Sequence, residues 1–179
     1  MTTQTTSKWV LDNAHSEISF KVKHLVVTTL TGKFDAFEGS VESPSDDFNG
    51  ATIQFSADIN SINTGNADRD GHLKSDDFFN AGSFPKLTFK STSFTKNGEQ
   101  YKLTGDLTLR DVTKTIELDV EFGGSAVDPW GNTKAGFELN GKIKRKEFGL
   151  KWDALTEAGG AVVSDEVKLH LNVQLVKQA

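Results

Sequence analysis

The chain has 179 residues, of which 36% are hydrophobic and 25% charged, and its net charge is -5. This length suits a single domain over residues 1–179 with a sizeable core, and the acidic balance argues against a nucleic-acid partner. Cysteine is absent, which excludes disulfides and thiol nucleophiles.

The sequence offers no run of the roughly 18 apolar residues that an integral membrane segment requires. Positive and negative charges are mixed along it, without a basic run to grip an anionic membrane. Its first eight residues are polar and lack the basic-then-apolar order of a secretory signal. We therefore expect a cytoplasmic location and disorder over residues 1–7.

Apolar and polar residues alternate through most of the chain, which is the period of half-buried strands. A short segment, Trp9 to Leu11, precedes eight longer ones, which lie at 18–22, 30–41, 51–59, 87–94, 103–109, 116–122, 137–143 and 167–175. Within 30–41 the alternation changes parity near Asp35-Ala36, which predicts a bulge or bend.

Short connections predict antiparallel hairpins, because parallel neighbours need a long crossover. Asn97-Gly98 is a strong turn signal, Asp111 to Lys114 joins two strands, and Asp128 to Asn132 contains the proline and glycine of a turn. The pattern favours an all-β, eight-stranded antiparallel barrel, with a two-sheet sandwich as the alternative.

Two longer segments interrupt the strands. The first, 60–85, predicts a short helix over Asn66 to Lys74 with Asn66 as N-cap, and its apolar residues Leu73, Phe78 and Phe79 are placed to cap one end of the barrel. The second, 146–165, contains Trp152 and the flexible 158–161. Long loops that carry aromatic residues commonly cap or bind something.

Several inward positions are small, namely Gly32, Ala57, Ser91, Gly105 and Gly141. An eight-stranded barrel can be filled by side chains or can hold one small ligand. The small residues therefore indicate either space for an elongated hydrocarbon or tight bends in a filled barrel, and both interpretations stay open.

The order and spacing of many short motifs from residue 9 to the last strand resemble the YceI-like family. They include Trp9-Val-Leu-Asp12, His15-Ser-Glu-Ile-Ser-Phe20, Val22-Lys-His24, Gly32-Lys-Phe34, Phe37-Glu-Gly39, Arg69-Asp-Gly-His-Leu73, Ser75-Asp-Asp-Phe-Phe79, Phe84-Pro85, Gly105-Asp-Leu-Thr-Leu109, Arg145-Lys-Glu-Phe-Gly149 and Val163-Ser-Asp-Glu-Val167. Lys144 stands where the family often has Asn, and Asp111 where it often has Gly.

The resemblance implies a lipocalin-like eight-stranded barrel that binds polyisoprenoids or similar long amphiphiles, and many such relatives are periplasmic. We therefore expect ligand contact from apolar side chains on the strands and in the capping segment. They are Ile18, Phe20, Val22, Phe34, Phe55, Leu73, Phe79, Phe89, Leu107, Leu109 and Leu118.

Four polar residues are candidates for the ligand's head group. By parity His24 points inward near a strand end, where it meets a head group or forms a hydrogen-bonded rim. Arg69 and His72 lie in the capping segment, and an ion pair with Asp68 or Asp70 is the expected role of Arg69. Arg145 follows Ile143 inward and needs a partner, either a protein carboxylate or the ligand head.

The cluster Asp12, His15 and Ser16 has the residue types of a hydrolase triad, but five consecutive residues cannot adopt the triad geometry. We expect Asp12 and Ser16 to satisfy backbone groups at a strand corner. The histidines lack metal-ligand spacing, and no cofactor is expected.

The primary hypothesis is a non-enzymatic protein that carries or sequesters an isoprenoid such as a polyprenyl or quinone tail. The alternatives are a filled-barrel interaction module in a stress response and a hydrolase. The sequence also leaves a homodimer open.

Overall fold

The computed structural model describes residues 6–25, 27–45, 47–150 and 163–178. These contain one α-helix, α1 (Ala67–Lys74), and short 3₁₀ turns at Asn13–His15, Ile59–Ser61 and Arg145–Phe148. The strands are β1 (Ser7–Leu11), β2 (Glu17–His24), β3 (Thr28–Phe34), β4 (Phe37–Ser43), β5 (Thr52–Asp58), β6 (Ile62–Asn63), β7 (Lys86–Asn97), β8 (Gln100–Leu109), β9 (Val112–Val127), β10 (Thr133–Lys144) and β11 (Glu166–Lys177).

The sheet closes on itself through its first strand. β1 pairs antiparallel with β4 on one side and with β11 on the other, while β2 pairs with β3 and β11. β1 and β2 are therefore the two halves of one bent strand, and β3 and β4 are the two halves of another. Counted in this way, eight antiparallel strands form a closed barrel in which each strand pairs with its neighbours in sequence. The predicted eight-stranded lipocalin-like barrel is confirmed.

The bend between β3 and β4 lies at the predicted parity switch. Phe34 and Phe37 are both buried, and Asp35 and Ala36 between them are exposed. The bend thus changes the parity of the alternation, while the side chains of Phe34 and Phe37 both remain buried inside the barrel. The expected disorder of residues 1–7 is wrong for Ser7, which pairs with Ser43 in the sheet. Residues 1–5 lie outside the described part.

The predicted hairpins form, with two shifts in position. Asn97 is the last residue of β7, so the turn falls on Gly98-Glu99, with Gly98 at φ +67°. The turn assigned to 111–114 is instead Arg110-Asp111, because both residues adopt positive φ and Val112 already pairs with Leu109. The turn at 128–132 is held by the Asp128 carboxylate, which accepts from two backbone N–H groups.

The small inward residues accommodate neighbouring side chains. A Cβ at Gly105 would lie 2.4 Å from the Phe89 ring and 2.6 Å from the carbonyl oxygen of Lys90, and one at Gly32 would lie 2.4 Å from the Phe20 ring. At Gly141 it would lie 2.2 Å from a Leu118 methyl carbon. These glycines therefore let large side chains lie flat on the wall. At these three positions the space beside the backbone is taken up by those side chains, so the glycines themselves are not empty pockets in the barrel wall.

The corner between β1 and β2 carries the polar cluster considered for catalysis. Asp12 accepts from the Ala14 N–H, from Lys134 Nζ at 2.7 Å and lies 2.9 Å from His15 Nδ1. Ser16 Oγ accepts from the Gln174 N–H at 3.0 Å. The predicted structural role is confirmed, because Asp12 and Ser16 satisfy backbone groups. The hydrogen bond from Lys134, opposed by partial burial, lowers the pKa of Asp12 to about 2.

Gly105→Ala should lower the free energy of unfolding by about 1–3 kcal/mol, because the added methyl group overlaps the Phe89 ring and a backbone oxygen. Urea unfolding measures the change. Gly136→Ala is the matched control, since a Cβ there meets no described atom within 4 Å and should be neutral or slightly stabilising. Equal effects of the two variants would show that the close approach at Gly105 is absent.

The Asp12–Lys134 contact should contribute acid-dependent stability. Because the folded-state pKa of Asp12 lies below the ordinary value of 3.8, its stabilisation is complete above about pH 5 and is lost as the pH falls towards about 2. Asp12→Asn should cost about 1 kcal/mol near neutrality, after screening by solvent, and almost nothing at about pH 2. In a Lys134→Met background most of this pH dependence should be lost, and the contact with His15 accounts for the remainder. A cost of Asp12→Asn that stays constant with pH in the wild type would contradict the assignment.

Candidate functional site

The barrel encloses a cavity of about 390 Å³. Its lining is almost entirely aliphatic and aromatic, drawn from every strand of the closed ring and from the segment 59–85. Several inward side chains are only half-buried although they lie inside the barrel, among them Val22, Leu30, Leu169 and Leu171. They face open space within the barrel, which is therefore not filled by its own side chains.

All fifteen residues predicted to contact a ligand line this cavity. The apolar ones are those that alternation placed on the inward face, together with Leu73 and Phe79 from the capping segment. The polar ones, His24, Arg69, His72 and Arg145, all lie towards one end. The structure thus brings the predicted residues together, and their contact with a ligand stays a prediction.

The cavity also has lining residues that sequence reasoning passed over. Leu30, Ile53, Ile116, Leu139, Ile143, Leu169, Leu171 and Val173 lie on the same inward faces and share the same alternation signal. Phe48 is different, because it comes from the loop 44–51, where no periodicity marks it. It is 2% exposed and adopts φ +66°.

Phe48 lies at the centre of an aromatic cluster that seals one end of the barrel. Its ring lies 5.0 Å from that of Trp9, 5.1 Å from Phe137 and 5.6 Å from Phe122. Phe94 stacks on Tyr101 at 4.8 Å, and the Tyr101 hydroxyl donates to the carbonyl of Asp47. Burial, together with the Asp47 carboxylate, raises the pKa of Tyr101. We call this the aromatic end.

The segment 59–85 covers part of the opposite end, as predicted. Its helix α1 begins after Asn66, whose side chain accepts from the Arg69 N–H at 3.0 Å. Phe78 is 4% exposed, and Phe79 packs edge-on against Phe34 at 6.2 Å. The predicted helix with its N-cap and the apolar cap are both confirmed.

Arg110 ties this segment to the barrel, and sequence reasoning missed it. Its guanidinium donates to the carbonyls of Asp76, Phe78 and Gly149 at 2.8–3.1 Å and contacts the Asp76 carboxylate at 2.9 Å. An arginine in a two-residue turn resembles any exposed charge in sequence, so its role follows only from the position of that turn beside the cap.

Arg69 fastens its loop by a route other than the expected ion pair. Its Nε donates to Thr64 Oγ1 at 2.8 Å and its Nη2 to the Thr64 carbonyl at 2.6 Å. The Asp70 carboxylate accepts from the Thr64 N–H and hydroxyl. Among the residues described, no carboxylate lies within ion-pair distance of Arg69, so Thr64 stands between the two charged groups and the predicted pair with Asp68 or Asp70 is wrong.

Arg145 is 3% exposed and begins a 3₁₀ turn directly after β10. It donates to the carbonyl oxygens of Leu150, Val163 and Ser164 at 2.7–3.1 Å, and its Cζ lies 5.7 Å from the centre of the Phe78 ring. The prediction allowed a carboxylate or a ligand head as partner. Within the described ranges Arg145 contacts backbone carbonyls and the Phe78 ring, and its contact with a ligand head stays a prediction.

Two histidines complete the polar groups at this end. His24 is half-buried at the last position of β2, where it bridges to Val163. His72 Nε2 lies 2.8 Å from the Asp77 carboxylate, and its ring packs edge-on against Phe78 at 5.1 Å. We call His24, Thr64, Arg69, His72 and Arg145 the polar rim.

Trp152 and 158–161 of the second long segment lie outside the described residues. Within the described ranges, no group of three or more His, Asp or Glu residues could hold a metal ion. None of the helices in these ranges has the length and apolar character needed to cross a membrane.

The chain matches the model of the YceI-like domain over residues 9–175. It is 41% identical over 169 residues to the protein YceI of Escherichia coli O157:H7, covering 93% of this chain and 84% of that protein. This resemblance spans the whole barrel, including both bent strands and the capping segment.

Solved structures share the fold. The YCEI protein of Campylobacter jejuni is 34% identical, with a TM-score of 0.74 and full coverage of both chains. A domain from Saccharophagus degradans, described as polyisoprenoid binding, has a TM-score of 0.69 at 20% identity and covers 95% of this chain and 98% of its own. With a family match over nearly its full length and relatives above 40% identity, this chain belongs to the YceI-like family.

Proposed function

We propose that this protein binds a long-chain isoprenoid, or a similar amphiphilic lipid such as one with a quinone head, inside its barrel and carries or sequesters it. The observation that carries the proposal is the apolar cavity of about 390 Å³, a volume within the range of small-molecule sites. An unfilled apolar space within a closed barrel loses packing contacts that a ligand can restore.

The dimensions favour a slender chain over a compact molecule. On β11 the lining residues run from Val167 to Leu175, and at about 3.3 Å per residue and a strand tilt near 40° they span roughly 20 Å of the barrel axis. A hydrocarbon in this tube gains about 0.8 kcal/mol per buried CH₂ before ordering costs. A longer hydrocarbon chain within the tube is therefore expected to bind more tightly.

The two ends of the cavity differ, which favours an amphiphile with its head at the polar rim. The aromatic end offers rings and little that hydrogen-bonds, whereas the rim supplies His24, the Thr64–Arg69 pair and His72. Of the two ends, as far as the described residues form them, the rim is the one that offers side-chain donors to a phosphate or carbonyl oxygen. We therefore place the tail towards Phe48.

The comparisons support the same class of ligand. A domain of this fold from Saccharophagus degradans is described as polyisoprenoid binding. The alternative of a filled-barrel module in a stress response is disfavoured by the cavity. Hydrolysis is disfavoured because Ser16 bonds to the backbone of Gln174, away from the cavity lining.

Leu171→Trp should reduce binding of geranylgeraniol by about tenfold or more. Leu171 is half-buried, faces the cavity and lies between Ile18 and Leu139, so the indole would displace at least two CH₂ groups of the tail, at about 0.8 kcal/mol each. Native mass spectrometry of protein incubated with geranylgeraniol in mild detergent measures the bound fraction.

Lys168→Trp, which adds the same ring to the outer face of β11, is the matched control and should bind within about twofold of the wild type. Thermal unfolding of both variants without ligand checks that they fold. Absence of a lipid adduct on the wild type, or equal binding by the two variants, would refute a barrel-held cargo.

A further inference from the structure

The turn between β2 and β3 exposes apolar side chains where hairpins usually carry Gly, Asn or Asp. Three consecutive residues, Leu25-Val26-Val27, connect the strands. Leu25 is 42% exposed and Val27 is 77% exposed, and Leu25 adopts φ +53°, which is uncommon for a branched side chain. The tip therefore presents aliphatic surface to the outside at a cost in solvation and backbone strain.

Beside this tip, lysines from three strands meet on the outer wall of the barrel. Lys21 of β2 lies opposite Lys168 of β11, which lies opposite Lys142 of β10. Lys23 and Lys144 follow on the same outer faces, towards the tip. Neighbouring strands are about 4.8 Å apart, so the backbones of the three aligned lysines fall within about 10 Å. We call these five residues the lysine patch.

The lysine patch is largely uncompensated. Among the described residues only Lys142 has an ion pair, at 3.9 Å with Glu166, and Glu166 is the one acidic side chain on the outer faces between these lysines. Like charges placed opposite one another destabilise a sheet. In a chain of net charge -5 such clustering indicates a surface kept for a negatively charged partner.

The tip and the lysine patch lie at the polar-rim end of the cavity. His24 of the rim pairs with Thr28 across the hairpin, and Val22 and Leu30, the next inward pair, line the cavity. The aliphatic tip, the basic wall and the polar rim thus occupy one end of the molecule. Two other strongly exposed hydrophobic side chains, Val127 and Trp130, lie on the β9–β10 hairpin beyond the aromatic end.

We infer that this end docks on the surface of an anionic lipid bilayer, with Leu25 and Val27 entering the headgroup layer and the lysine patch facing the lipid phosphates. Exposed apolar side chains beside a basic cluster are the combination that holds peripheral proteins at such surfaces. Docking in this orientation brings the polar rim against the bilayer. We assign to this docking the entry and exit of the cargo, and that assignment rests on the proposed function. The docking itself does not depend on it.

Co-sedimentation with vesicles tests the inference. The wild type should partition at least about tenfold better onto vesicles of phosphatidylcholine mixed with phosphatidylglycerol than onto phosphatidylcholine alone, and high salt should remove the difference. Each lysine near an anionic surface contributes about fivefold, so Lys21→Gln/Lys168→Gln should lose about twenty-fivefold. Val27→Asp should lose about tenfold through its buried aliphatic area and added charge.

Two variants remote from the tip and the lysine patch are matched controls. Lys90→Gln/Lys96→Gln removes two exposed lysines from β7, and Trp130→Ser removes the most exposed aromatic side chain. Both should partition within about twofold of the wild type. Equal binding to both vesicle types, no binding to either, or control losses as large as those of the patch variants would overturn the inference.

Geranylgeraniol binding in detergent, measured on the same proteins, separates this inference from the proposed function. The patch variants should bind geranylgeraniol as the wild type does, because their substitutions lie outside the cavity. A wild type that takes up geranylgeraniol but ignores vesicles refutes the docking alone. One that binds mixed vesicles but takes up no geranylgeraniol refutes the cargo and leaves the docking intact.

Discussion

Closure of the sheet by β1 is the constraint on which the rest of this structure depends. Of the five residues of β1, four pair with β4 and three with β11, so the ring has no open edge strand and the inward side chains face one another across a tube. A tube of eight strands has a width at which side chains either fill it or leave room for one small ligand, and here they leave room. The cavity follows from strand number and closure, and the inward glycines help to keep its axis open.

The glycines matter because they let Phe20, Phe89 and Leu118 lie against the wall. Side chains that lie flat line the tube smoothly and leave its axis open. A larger residue at Gly32, Gly105 or Gly141 would push those side chains into the lumen or strain the strand. The open axis is therefore produced by close packing along the wall, and not by missing side chains.

The two ends of the barrel give the cavity a direction. Aromatic rings centred on Phe48 seal one end, and the segment 59–85, held by Arg110 and by the Arg69–Thr64 contacts, partly covers the other. Arg145 lies among backbone carbonyls beneath Phe78 and helps to shape that cap. An interior with one aromatic and one polar end suits a molecule with a tail and a head, and the exposed tip of the β2–β3 hairpin lies beside the polar end.

The sequence alone determined the strands, the inward face of each, the bend at Asp35-Ala36 and the capped helix after Asn66, because alternation and capping are local signals. The fifteen candidate residues all reached the cavity for the same reason. Only the tertiary structure decided what lies far apart in sequence: Phe48 from an unpatterned loop, the carbonyl partners of Arg145, and the carbonyls that Arg110 holds. It also placed Lys21, Lys142 and Lys168 side by side. Along the sequence, positive and negative charges simply look mixed, because strand register and not distance in sequence decides which charges meet.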